Sequence, residues 1–90
     1  MNTDSNTNLL DLKNLGPKST DMLNAIGIYT KADLQDMGAI DSYRALKAQG
    51  YNVSLNLLYA IEAALLDIHW TKLPDDIKQH LKNALDAPRL

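Results

Sequence analysis

Ser54-Leu55-Asn56-Leu57-Leu58-Tyr59-Ala60-Ile61-Glu62-Ala63-Ala64-Leu65-Leu66 decides the fold. Serine is a favoured N-cap, because its hydroxyl can accept a hydrogen bond from the free amides of a first turn. From Leu55 to Leu66 only Asn56, Glu62 and the Tyr59 hydroxyl are polar. A helix apolar almost all round is a buried one, so this segment is expected to be a central rod that other helices cover. Asn56 is expected beside the N-cap, and Glu62 at a narrow solvent edge, since a buried polar group left unpaired costs about 1–3 kcal/mol.

Working outward, the covering helices have recognisable punctuation. Downstream, Leu73-Pro74-Asp75-Asp76 opens a last helix with acids at its positive end. Ile77, Leu81, Ala84 and Leu85 keep helical spacing, and Pro88 ends the run. Upstream, Leu9, Leu10, Leu12 and Leu15 suggest one irregular helical turn. Pro17, at home in a first turn, starts a helix to about Ala25 with the face Met22, Leu23 and Ile26; Gly27 stops it. Thr30 caps the next helix, with Asp33 as an acidic capping box; that helix carries Ala32, Leu34 and Met37 and ends at Gly38. A further helix, about Ile40 to Ala48, presents Tyr43, Leu46 and Lys47 and ends at Gly50. No alternating stretch rich in Val, Ile and Thr offers a strand. The expectation is an all-α fold: a compact bundle of five to six short helices around one buried central helix.

Ninety residues suffice for one domain. Residues 1–8 hold one hydrophobic side chain and read as a disordered tail, leaving residues 9–90 as the domain. Cysteine is absent, which removes disulfides, thiolate metal sites and thiol nucleophiles. No apolar run approaches the ~20 residues of a membrane span and no leader opens the chain, so a cytoplasmic protein without a membrane role is expected. Nine Lys and Arg stand against eleven Asp and Glu, a net charge of −2. Unaided DNA binders draw most of their affinity from phosphate neutralisation and usually carry a basic surplus. This chain does not.

The chemistry-bearing stretch is Lys13-Asn14-Leu15-Gly16-Pro17-Lys18-Ser19. A tight turn through Gly16 is expected to join two short helices, and the second would aim free backbone N–H groups outward from its positive end. Such an end can hold a phosphate or carboxylate oxygen, with Lys18 adding charge and Ser19 a donor. The alternative is a plain helix-joining turn, and the residues alone leave both open. Lys13, Arg44 and Lys47 can join Lys18 in a basic patch near this hairpin, although Asp11, Asp21 and Asp41 lie close in sequence and favour mixed solvated faces.

The stretch resembles the helix-hairpin-helix of DNA-binding proteins, whose hairpin reads Gly-hydrophobic-Gly-Pro-Lys; Asn14 stands where the first glycine is expected. Asn tolerates a left-handed backbone better than most residues, so the turn can survive. A longer series runs in order: Leu15-Gly16-Pro17-Lys18-Ser19, Gly27-Ile28 with Thr30, Asp33-Leu34, Gly38-Ala39 with Tyr43 and Leu46-Lys47, Val53 to Ala60, then His69-Trp70 and Leu73-Pro74. It is similar to the C-terminal domain of the TfoX/Sxy family of bacterial competence regulators. Ala63 stands where a glycine is expected after the glutamate. Full-length members usually carry an N-terminal domain, so a stand-alone copy is expected. The resemblance implies transcriptional control of DNA-uptake genes, with a cyclic-AMP receptor protein and RNA polymerase as partners.

Other residues read as structural. Trp70, the single tryptophan, is expected to plug the base of the core, with partner anchoring as the alternative. Tyr29, Tyr43, Tyr51 and Tyr59 are expected in core or rim packing. His69 and His80 lack metal-ligand spacing, and no nucleophile, base and acid set stands out, so neither an enzyme nor a cofactor is expected. Two function classes remain: a regulatory protein-docking domain, monomeric or weakly dimeric, and a weak, salt-sensitive DNA-binding module using the hairpin amides and Lys18.

Overall fold

The computed structural model describes residues 9, 12 and 14–86. The proposed tail at residues 1–8, together with Leu10, Asp11, Lys13 and Pro88, lies outside them. Five α-helices follow one another: α1 (Pro17–Ala25), α2 (Lys31–Met37), α3 (Ala39–Ala48), α4 (Leu55–Leu66) and α5 (Asp75–Asp86), with a 3-10 turn at Trp70–Lys72 before α5. No strand occurs among the described residues. The fold is all-α.

Local chemistry sets the ends. α1 finishes in a Schellman motif: the Gly27 amide donates to Asn24 O (3.0 Å) and the Ile28 amide to Leu23 O (3.0 Å). That geometry needs a left-handed residue, and Gly27 supplies it with φ 86°. The two side chains that accompany it, Leu23 and Ile28, are buried against the core. α2 opens with the capping box: the Asp33 amide donates to Thr30 Oγ1 (3.2 Å), while Asp33 Oδ2 accepts from the amides of Thr30 (3.2 Å) and Tyr29 (3.0 Å). Ser54 occupies the N-cap of α4 without using its hydroxyl; its carbonyl accepts from Leu57 and Leu58 instead.

α4 packs against α2, α3, α5 and the 3-10 turn, as expected of a central helix. Leu58, Ile61, Ala63 and Ala64 are buried, whereas Leu55 and Leu66 at its two ends stand partly in solvent. α3 shares the central position, touching α1, α2, α4 and α5. Its buried residues Ala39, Ser42, Tyr43 and Leu46 follow the i, i+3, i+4, i+7 stripe of an amphipathic helix. The Ser42 hydroxyl is satisfied by Gly38 O at 2.7 Å. α5 closes the bundle through buried Leu81, half-buried Ile77, Ala84 and Leu85, and Lys78 set over the Tyr59 ring at 5.7 Å. Leu9, Leu12, Leu15, Leu23 and Leu73 belong to the same core.

Among the described residues, the Thr20 hydroxyl on α1 is a buried side-chain group without a hydrogen-bond partner. Valine has the same shape and no polar atom to desolvate. Thr20→Val is therefore expected to raise stability by about 1 kcal/mol, read as a higher denaturant midpoint at unchanged m-value. A lower midpoint contradicts the assignment.

Candidate functional site: the hairpin and the Trp70 corner

The left-handed residue of the turn sits two positions before Gly16. Asn14, not Gly16, holds the left-handed conformation, with φ 76°. Gly16 is extended (φ −96°, ψ −177°) and serves as the N-cap of α1, so the expectation of a turn through Gly16 is corrected. Leu15 between them is buried at 5% exposure and drives the loop onto the core. Lys18 is exposed and Ser19 half-buried in the first turn of α1, and no side chain caps that end.

Asn14 does more than tolerate the turn. Its Nδ2 donates to Ile68 O at 2.8 Å, and its Oδ1 accepts from the Trp70 amide at 2.8 Å. Only this amide orientation is chemically consistent, because the flipped one would set carbonyl against carbonyl and N–H against N–H. One side chain thus clasps the hairpin to the connection between α4 and α5. That connection has its own left-handed residue, Asp67 (φ 59°), which ends α4 with Schellman bonds from Asp67 to Ala64 O (3.2 Å) and from Ile68 to Ala63 O (3.0 Å). The His69 side chain accepts from the Thr71 amide and so caps the 3-10 turn, and its ring lies against that of Trp70 with centroids 6.4 Å apart.

Trp70 departs from expectation. The residue is 41% exposed, so its ring lies at the surface and does not plug the core. Tyr43 is buried and Tyr51 and Tyr59 are half-buried, as core or rim residues should be, but Tyr29 is 58% exposed.

The proposed basic residues are placed differently from one another. Lys13 lies outside the described residues. Arg44 reaches across to α5, where its Nη2 donates to Ala84 O at 2.8 Å, satisfying a carbonyl in the last turn of that helix. Lys47 is exposed in the last turn of α3. Among the described residues, Lys18 is the cation of the hairpin stretch. Nearby in the fold, Met37, Asp41, Arg44, Ala45 and Ala48 line an open depression of about 450 Å³ between α2 and α3. No helix among the described residues is long and apolar enough to cross a membrane.

The hairpin, the capped α2 and the clasped α4–α5 connection lie within one continuous match, since the model of the TfoX C-terminal domain spans residues 5–85. The chain belongs to that family. Two crystal structures resemble this TfoX C-terminal domain closely. One, of an uncharacterized protein from Listeria monocytogenes in a triclinic form, has a TM-score of 0.81 and 29% identity over 93% of this chain and 99% of that one. The other, of a protein of unknown function from the same organism in a tetragonal form, has a TM-score of 0.78 and 31% identity over 83% and 93%. No curated protein matches in sequence.

Sequence reasoning found the hairpin but missed the clasp and the exposed tryptophan. The available signal was Asn14 itself: an amide at a position that calls for a left-handed backbone brings a donor and an acceptor with it. Asn14→Gly keeps the turn and loses both bonds, so it is expected to cost about 1–3 kcal/mol. Asn14→Ala should cost roughly 1 kcal/mol more, because alanine resists the left-handed conformation. Thermal unfolding of the three proteins checks this order; equal Tm values for wild type and Asn14→Gly contradict the clasp.

Proposed function

We propose that this TfoX C-terminal domain is a non-catalytic regulatory module of the cytoplasm that works by docking on another protein. The family sets the context: transcriptional control of competence and DNA-uptake genes, with a cyclic-AMP receptor protein or RNA polymerase as the partner. The observation that supports docking over phosphate binding is the Asn14 clasp. Where the DNA-binding hairpin has a glycine that lets backbone approach phosphate, this chain has a side chain whose polar atoms turn inward to Ile68 and Trp70. Charge agrees with this. The chain is net −2, and of the cations proposed to assemble around Lys18, Arg44 is engaged with Ala84 O.

The second reading, direct DNA binding, retains one supporting observation. α1 begins without a capping side chain, so the first-turn amides of Lys18 and Ser19 form an uncapped positive end of a helix dipole, with Lys18 exposed in the same turn.

An NMR titration with a short DNA duplex separates the two. Docking predicts that the amides of Leu15, Gly16, Lys18 and Ser19 stay unmoved at low and at physiological salt. Shifts at low salt that fade as salt rises, and that vanish in Lys18→Glu, would establish the DNA reading in its place.

A further inference from the structure

We infer that the corner formed by Leu66 and Trp70, flanked by Lys18 and Lys72, is the docking surface, and that it takes an acidic peptide segment of a partner protein carrying a large apolar side chain. This rests on the protein-docking reading and names the face that performs it.

The apolar half of the argument is exposure on a fixed backbone. Leu66 is 45% and Trp70 41% exposed, four residues apart, on either side of the left-handed Asp67. Tyr29, Met37 and Leu55 are exposed singly on other elements. Tryptophan presents a large rigid contact area, and an exposed one is the side chain type most enriched where binding energy concentrates. Its backbone is held by Asn14 and its ring by His69 at 6.4 Å, so little freedom is left to lose on binding.

The polar half is charge. Lys72 is exposed at the end of the same 3-10 turn, and Lys18 is exposed on the hairpin that the clasp draws alongside. The acid of this corner, Asp67, already has an interaction within the chain. Asp75 and Asp76 begin α5, where they offset that helix's own dipole. Carboxylates around an apolar anchor therefore complement this face.

The test is selection of phage-displayed random peptides on the intact chain, followed by binding of the selected peptides with Trp70 fluorescence as the readout. The chain has one tryptophan, so its emission reports this corner alone. The expected winners carry Asp and Glu around a Trp, Phe or Leu and shift the emission to the blue. Their affinity, followed by NMR for the variant without tryptophan, should drop about tenfold or more in Trp70→Ala, the scale of a central aromatic anchor. It should also drop in Lys18→Glu/Lys72→Glu, where both positions are exposed and the fold, checked by circular dichroism, should be kept. Basic winners, winners that bind Trp70→Ala equally well, or no winners at all overturn the proposal. Peptides that move amides around Met37 and Ala48 instead overturn the corner while the docking reading stands. A DNA duplex that displaces the peptides at physiological salt overturns both, and a concentration-dependent dimer that buries Trp70 replaces the partner segment by a second copy.

Discussion

Two hydrogen bonds from one side chain tie together the end of this molecule that carries the candidate site. Asn14 holds the left-handed turn and spans the gap to Ile68 and Trp70, joining the start of the domain to the connection that follows its most apolar helix. Each such bond contributes only about 0.5–1.5 kcal/mol net. Their position matters more than their strength. α4 ends at Leu66 in a Schellman turn, and residues 67–74 carry the chain to α5. The turn uses Asp67 in a left-handed conformation that few residues adopt, and the clasp fixes the backbone on its far side. Without the clasp, the hairpin, the 3-10 turn and the tryptophan would be separate surface loops.

Much of the fold could be read from local chemistry. The bounds of α1, Pro17 to Ala25, follow from proline at a first turn and glycine after a last one. The Thr30–Asp33 box predicts α2, because both of its bonds close within three residues. α4 was legible from its apolar surface alone. The single departure in these elements, the idle hydroxyl of Ser54, reflects a first turn whose carbonyl acceptance suffices to start the helix.

The site was harder to read, for reasons of distance. Asn14 bonds residues 54 and 56 positions away, and Arg44 finds Ala84 O 40 positions on. No spacing rule connects such pairs. For Arg44 this matters to function, since a cation read as part of a patch ends as the cap of a distant helix. Trp70 was misplaced because burial is the default for an indole, whereas here it is 41% exposed. The substitution of glycine by Asn14 was visible from the start, and its meaning required the partner backbone.

The clasp also gives the family resemblance a physical content. This TfoX C-terminal domain keeps Gly16-Pro17-Lys18 and turns the side chain of residue 14 inward to Ile68 and Trp70. The measurement that tests this most directly is native-state hydrogen exchange at the Trp70 amide. This amide lies in an exposed turn, and its hydrogen bond is to a side chain 56 positions away. The account predicts protection comparable to the capped helix ends around it, lost selectively in a variant without the Asn14 side chain. Exchange at the rate of an open chain, while the amides of α3 and α4 remain protected, would show that the hairpin and the Trp70 corner are not joined.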